Sequence, residues 1–177
     1  LLLIWTCFEY YYSTTINFIS SVKSKQSLIM YSIIFVFITI ISGGFMAGSN
    51  AGQSFNTFPL MNGKLFPDDI FIEELGVRNI FENTVIINFN HRWLATFTFV
   101  YTFSLFTYFL INRFIQYSKF ISVSVLVILS FQFFLGIMTL LSNVEIHYGS
   151  LHQTNSVILL TILFFSYFKS KLRKDQK

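Results

Sequence analysis

Four stretches of the chain contain no Asp, Glu, Lys or Arg and are long enough to cross a lipid bilayer. They cover residues 28 to 47, 93 to 111, 120 to 142 and 151 to 168, here called spans A, B, C and D. An α-helix of about 20 apolar residues crosses the hydrocarbon core, and lipid tolerates no unpaired backbone there. We therefore predict an all-α integral membrane protein whose four transmembrane helices form a bundle.

Charge supports the same class of protein. Charged residues make up 11% of the chain, against about 25% in soluble proteins. Most of the basic residues precede span A, separate B from C or follow D: Lys23, Lys25, Arg113, Lys119, Lys169, Lys171, Arg173, Lys174 and Lys177. This distribution predicts that these segments face the cytoplasm, or the matrix in a mitochondrion. The orientation of the helices in the membrane then explains the net charge of +4. We therefore expect the chain to lie in a lipid bilayer and to bind no nucleic acid.

The chain divides into three predicted regions. Residues 1–20 are apolar at first but too short to span, which indicates the end of a preceding transmembrane helix and the start of a cytoplasmic loop. Residues 21–168 hold the four-helix bundle, with an outer loop at 48–90, and residues 169–177 form a basic cytoplasmic tail. Within the loop, the mixed apolar and acidic segment Asp68 to Asn83 predicts a short helix at the membrane interface, with an exposed irregular loop as the alternative.

Two histidines, His91 and His152, stand at the beginnings of spans B and D. The loop charges make B and D run in the same direction, so both histidines are expected at the outer face; opposite directions would separate them by about 30 Å. An ionisable side chain in a membrane span usually has a partner, and for paired imidazoles in a helical bundle we predict haem iron. The alternative is that each histidine is only an interfacial hydrogen-bonding residue.

Other residues near these histidines have two interpretations each. Arg92 could pair with a haem propionate, or anchor the helix at the interface beside Trp93. His147 is expected to face solvent, although its position would let it compete as a ligand. Gln132, a polar residue in span C, is expected to bond between helices, with a bond to a ligand histidine as the alternative.

The last residues considered for packing or binding are three glycines and the single cysteine. Gly44, Gly48 and Gly52 form two overlapping G-x-x-x-G steps, which favour close helix packing over room for a flat macrocycle. Cys7 is the only cysteine, so this chain alone forms neither a disulfide nor a thiolate metal site.

Several motifs, read in order, resemble the carboxy-terminal half of haem A synthase. They are Gly43-Gly44-Phe45-Met46-Ala47-Gly48-Ser49-Asn50-Ala51-Gly52, Asn56-Thr57-Phe58-Pro59-Leu60-Met61, Asn79-Ile80-Phe81-Glu82-Asn83, Asn88-Phe89-Asn90-His91-Arg92, Gln132-Phe133-Phe134-Leu135-Gly136-Ile137-Met138-Thr139-Leu140-Leu141 and His152-Gln153. Their combination is more specific than any generic membrane pattern.

The resemblance implies half of an eight-span duplicated membrane enzyme, which converts haem O to haem A by two successive hydroxylations of the C8 methyl group for cytochrome oxidase biogenesis. The carboxy-terminal half of that family binds haem b through two histidines, which carry over to His91 and His152. Arg92 is expected to be a further cofactor-binding residue because it directly follows His91 and a guanidinium can pair with a propionate. The amino-terminal half binds the substrate haem. This chain is accordingly expected to be a fragment that lacks the substrate-binding half.

One position departs from the family pattern. The family's amino-terminal half has a catalytic glutamate candidate three residues before its first histidine, whereas this chain has Asn88 at the matching offset. An amide does not exchange protons near neutral pH as a carboxylate does. We therefore expect an electron-transfer bundle that contains no catalytic residue.

The resemblance also implies partners and a location. The expected partners are haem O in the other half, an electron donor of unspecified identity and haem O synthase, and a homo-oligomer is a further option. The expected location is the bacterial inner membrane, with the mitochondrial inner membrane as the alternative. Two other functions stay open: a di-histidine membrane cytochrome that transfers electrons without hydroxylase activity, and a structural membrane assembly protein.

Overall fold

The computed structural model describes residues 2–13, 23–112 and 119–170. Every regular element in these ranges is helical, so the predicted all-α class is confirmed. The elements are α1 (Leu2–Ser13), α2 (Lys23–Gly48), α3 (Asn79–Glu82), α4 (Thr84–Ile111), α5 (Lys119–Leu141) and α6 (Ile146–Ser170), with short 3₁₀ helices at Ala51–Gln53 and Glu73–Arg78.

Four of these helices are long and apolar enough to cross a membrane: α2 from Gln26 onward, α4, α5 and α6. They correspond to the four predicted spans. Helix α4, however, begins at Thr84, well before residue 93, where the uncharged run of span B starts. The side chain of Asn83 caps this earlier start by accepting a hydrogen bond from the backbone N–H of Val85, at 2.9 Å.

The four long helices form a bundle in which each packs against two neighbours. Helices α2 and α5 each lie beside both α4 and α6, which places α4 and α6 on a diagonal of the bundle. Helices α2 and α4 are joined by the hydroxyls of Thr39 and Thr98, 2.9 Å apart, and by the Tyr101 hydroxyl, which donates to the carbonyl of Leu28 at 3.0 Å. Such polar contacts hold helices together in lipid, where burial of apolar surface contributes little.

The tightly packed core occupies one half of the bundle. Its buried members come from the first half of α2, the second half of α4, the first half of α5 and the second half of α6: Ile29, Ile33, Val36, Leu105, Phe106, Phe109, Ile121, Val125, Leu129, Leu159, Leu160, Leu163 and Phe164. We call this the packed half. The other half, toward the ends of α2 and α5 and the beginnings of α4 and α6, is called the histidine half because it contains His91 and His152.

Helix α1 packs on the part of α6 that lies in the packed half. The Trp5 ring meets the rings of Phe164 and Phe168 with centroids 5.6 and 4.9 Å apart. These aromatic contacts fix α1 against the bundle. That α1 is the end of a preceding span stays a prediction, and residues 14–22 and 171–177, which include most of the predicted cytoplasmic loop and tail, lie outside the described residues.

The connection between α2 and α4 is folded against the histidine half. The short helix predicted within residues 68–83 is present only in part. The helical turns run from Glu73 to Glu82 and are broken at Gly76, whose φ of 49° and ψ of −125° are not helical. Glycine adopts this positive φ without the steric cost that a side chain brings. The break directs the chain back toward the beginning of α4.

Candidate haem-binding site

His91 and His152 both lie about two turns inside their helices, at the same end of the bundle. The prediction that they share a depth therefore agrees with the structure. They occupy the two diagonal helices, α4 and α6, and each ring packs against a neighbouring helix of the bundle. Two histidines from different helices at one depth are side chains that could hold a haem iron.

The His91 ring packs against the last third of α2. Its Nδ1 atom lies 3.3 Å from the Ser42 hydroxyl oxygen, which is a long contact for a hydrogen bond. A Cβ atom placed on Gly43 would lie 3.4 Å from His91 Cε1. The absence of a side chain at Gly43 thus lets α2 approach the edge of the ring.

The His152 ring packs against α5 in a similar way but with more polar contacts. Its Nδ1 atom lies 3.2 Å from the carbonyl oxygen of Gln132 and 3.1 Å from the Gln132 side-chain nitrogen. A Cβ atom on Gly136 would lie only 3.0 Å from His152 Cε1. Gln132 and Gly136 are four residues apart and share one face of α5, so this face forms a seat for the ring.

The composition of the site fits haem better than a bare metal ion. No group of three or more His, Cys, Asp or Glu side chains able to hold a metal occurs among the described residues. A porphyrin supplies four nitrogen ligands itself and needs only one or two from the protein. The pair His91 and His152, in the half of the bundle that lies outside the main hydrophobic core, matches that requirement.

Arg92, next to His91, holds the connecting loop against α4. Its Nε atom donates to Asn88 Oδ1 at 2.6 Å, and its two terminal nitrogens donate to the carbonyls of Phe55 and Thr57 at 2.6 and 2.8 Å. Asn88, which is fully buried, donates from Nδ2 to the carbonyl of Ala51 at 2.7 Å. We call this set of bonds the loop clamp. The proposed role of Arg92 as a propionate partner stays a prediction.

Three more asparagines secure the same connection. Asn56 Nδ2 donates to the carbonyl of Leu140 at the end of α5, at 2.9 Å. Asn79 donates to the carbonyls of Ile72 and Gly76, at 2.7 and 2.8 Å, and Asn83 donates to Asn79 Oδ1 at 3.0 Å. These amides therefore add side-chain bonds to carbonyls that also accept from backbone N–H groups, and the added bonds hold the irregular segment in place.

Two of the predicted glycine positions do not pack as expected. The close packing predicted at Gly44 and Gly48 is wrong within the described residues, because a Cβ atom on either would meet nothing within 4 Å. They line an open groove of about 590 Å³, together with Ile41, Phe45 and Phe81. Adjacent residues on a helix point about 100° apart, and this rotation turns Gly43 rather than Gly44 toward His91.

The remaining candidates are His147 and Gln132. His147 is 84% exposed and lies 3.8 Å from the Glu145 carboxylate, so it faces solvent as predicted. Gln132 accepts a hydrogen bond from Asn155 of α6, so the predicted bond between helices is confirmed. It also contacts His152, whose role as a ligand stays a prediction. The sequence did not identify Ser42, Asn88 or Asn155 as residues that hydrogen-bond within the site. Ser42 directly precedes one of the quoted motifs, and Asn88 lies within another.

Comparison with known proteins settles the family. A model of the COX15-CtaA family, described as cytochrome oxidase assembly protein, matches residues 1–164 of the chain. The chain belongs to this family. Its similarity extends to curated proteins of bacteria and plants, and no solved structure gives a significant match.

Relatives of the COX15-CtaA family that match the chain include heme A synthases. That of Pelagibacter ubique is 34% identical over 167 residues, which cover 93% of this chain and 48% of the relative. Heme A synthase COX15 of Arabidopsis thaliana is 38% identical over 80% of this chain and 31% of the relative. The chain thus spans half or less of the length of these curated relatives.

Proposed function

We propose that the chain is the carboxy-terminal, haem b-binding half of a haem A synthase, the enzyme that converts haem O to haem A by two successive hydroxylations of the C8 methyl group. The carrying observation is the placement of His91 and His152 on diagonal helices, at one end of the bundle and outside the packed half. Membership of the COX15-CtaA family supports the same proposal.

In this proposal His91 and His152 would hold the iron of haem b. The bound haem supplies one-electron transfer. The chain contributes the two imidazoles, the seats on α2 and α5 that orient their rings, and a bundle that keeps water away. In this proposal the rest of the enzyme binds haem O and contacts the electron donor and haem O synthase. A homo-oligomer is a further option.

Asn88 supports an electron-transfer role over a catalytic one. Both polar atoms of its buried amide are used, one on the Ala51 carbonyl and the other on Arg92 Nε. The side chain neither titrates near neutral pH nor has a free atom for a substrate. We therefore propose no catalytic residue in this chain.

Absorption spectroscopy of the purified, haem-loaded protein tests the ligand pair. We expect a six-coordinate, low-spin haem b spectrum for the unchanged chain, because two neutral imidazoles give a strong axial field. His91→Ala and His152→Ala should each abolish the low-spin form. His147→Ala is the matched control and should leave the spectrum unchanged, since His147 is exposed. A low-spin spectrum that persists in both single variants would refute the assignment.

Haem extraction from cells tests the enzymatic part of the proposal. In a full-length enzyme that contains this half, His152→Ala should lower the ratio of haem A to haem O, measured by mass spectrometry. The di-histidine cytochrome predicts a normal low-spin spectrum but no dependence of haem A on this protein. That result would support the two ligand assignments and reject the haem A synthase function.

A further inference from the structure

We propose that Asn155 and Gln132 form a relay between α6 and α5 that positions the His152 ring as an iron ligand, so that the two axial histidines are held unequally. The relay consists of Asn155 Nδ2, Gln132 Oε1, and the carbonyl and side-chain nitrogen of Gln132 beside the ring. This inference rests on the proposed haem-binding function, and it assigns positioning roles to two residues that do not themselves bind iron.

The first step of the relay fixes the orientation of the Asn155 amide. Its Nδ2 atom lies 3.2 Å from the carbonyl of Ile128 and 2.8 Å from Gln132 Oε1. A backbone carbonyl can only accept, so the atom facing Ile128 must be the nitrogen of Asn155. The same nitrogen then donates to Gln132, which fixes the atom of Gln132 facing Asn155 as its oxygen.

The second step transfers this orientation to the His152 ring. With Oε1 directed at Asn155, the Gln132 nitrogen faces the imidazole, 3.1 Å from Nδ1 and 3.4 Å from Nε2. The Gln132 carbonyl, 3.2 Å from Nδ1, is an acceptor only. The carbonyl requires the proton on Nδ1, so the Gln132 nitrogen has no acceptor there. At 3.4 Å from Nε2 this nitrogen packs against the ring without a close hydrogen bond, and the Nε2 lone pair is left for a metal.

Two further features show that the relay is directed at His152. Asn155 is only 8% exposed, so its amide lies in the interior of the bundle. It also lies three residues after His152, on the same face of α6. The ring is therefore held from α5 by the Gln132 carbonyl, and the Gln132 side chain is held from α6 by Asn155.

His91 has no comparable support among the described residues. Its Nδ1 contact is the Ser42 hydroxyl at 3.3 Å, and a hydroxyl can rotate and can either donate or accept. An acceptor that holds the N–H of a ligand histidine raises the basicity of that ligand. His152 should thus be the stronger and more firmly oriented ligand of the pair.

Asn155→Leu in the full chain tests the relay. The substitution keeps the approximate volume but removes the donor, so the Gln132 side chain is released from its position against the ring. The ring then keeps only its bond to the Gln132 carbonyl. We expect the affinity for haem b, measured by titration in detergent, to fall about 10- to 100-fold. The midpoint potential should rise, and carbon monoxide should bind the reduced haem more readily because one axial ligand is weakened.

The control is Thr154→Ala, which alters an exposed neighbour whose hydroxyl bonds only within α6. It should change none of these readouts. Ser42→Ala should change the haem affinity less than Asn155→Leu does. Equal effects of Ser42→Ala and Asn155→Leu would overturn the unequal support of the two ligands.

A double-mutant cycle separates positioning from general stability. Gln132→Leu and the pair Gln132→Leu with Asn155→Leu should reduce haem affinity by about the same factor as Asn155→Leu, since both residues act through one ring. Circular dichroism should show unchanged helix content. Additive losses, or an unchanged midpoint potential, would reject the relay; if His152→Ala itself kept the low-spin spectrum, the proposed function would fail instead.

Discussion

Asn88→Ala is expected to lower the free energy of unfolding by about 2 to 4 kcal/mol, because it removes one hydrogen bond to the charged Arg92 side chain and one to the Ala51 carbonyl. The buried Ala51 carbonyl would keep only its bond from the Ser54 backbone N–H, at 3.2 Å, and Arg92 Nε would lose its acceptor. Arg92 would then hold the connecting loop with its two terminal nitrogens alone. Chemical or thermal unfolding in detergent, followed by circular dichroism, measures the difference.

Asn112→Ala is the matched control for this experiment. Asn112 follows the other end of α4, is exposed, and donates to the Tyr108 carbonyl of its own helix at 2.9 Å. Its removal should change the free energy of unfolding by about 0.5 kcal/mol at most, as for other surface substitutions. Equal destabilisation by the two alanine variants would show that the loop clamp contributes nothing specific.

Gly136→Val is expected to reduce haem b affinity about 100-fold, the upper end of the range for changes in the supports of a metal ligand. The Cβ atom alone would stand 3.0 Å from His152 Cε1, and the two methyl groups of valine would extend into the ring. His152 must then turn away from the Gln132 carbonyl and from the position opposite His91. Titration with haem b and the fraction of low-spin haem report this displacement.

Gly44→Val provides the control, since a side chain there enters open space and β-branched residues are tolerated in membrane helices. It should bind haem b as the unchanged protein does. Gly43→Val should give an intermediate loss, because its Cβ atom would be 3.4 Å from His91 Cε1. A Gly136→Val protein with unaltered affinity would mean that the α5 seat does not set the ring position.

The four membrane helices were predictable because the bilayer imposes one strong requirement. A span must be long and apolar, and its backbone must hydrogen-bond within itself. A long uncharged run of residues in a membrane protein therefore predicts a helix. The start of α4 was less predictable. Asn88, Asn90 and Arg92 interrupt the apolar run, yet the cap at Asn83 starts the helix before them.

The histidine pair was predictable for a related reason. Loop charges give the direction of each span, and two spans of the same direction place their first residues at one face. The seats of the rings were not predictable. Whether Gly43 or Gly44 faces His91 depends on a rotation of α2, and that rotation is decided by packing against α4 rather than by the local sequence.

The amide contacts lay beyond sequence reasoning because they join distant parts of the chain. Asn56 and Leu140 are 84 residues apart, and Gln132 and Asn155 are 23 residues apart. A lone asparagine or glutamine in the sequence indicates only that a partner is needed. Which partner it meets depends on the tertiary arrangement of the helices.

The sequence separations within the connecting loop have a consequence for the order of assembly. The bonds of Asn79 to Ile72 and of Asn83 to Asp69 close loops of 7 and 14 residues, and that of Asn88 to Ala51 closes one of 37. Short closures cost less chain entropy than long ones. The loop can therefore take its shape once α2 and α4 have paired in the nascent chain, while the bond from Asn56 to Leu140 must await the insertion of α5.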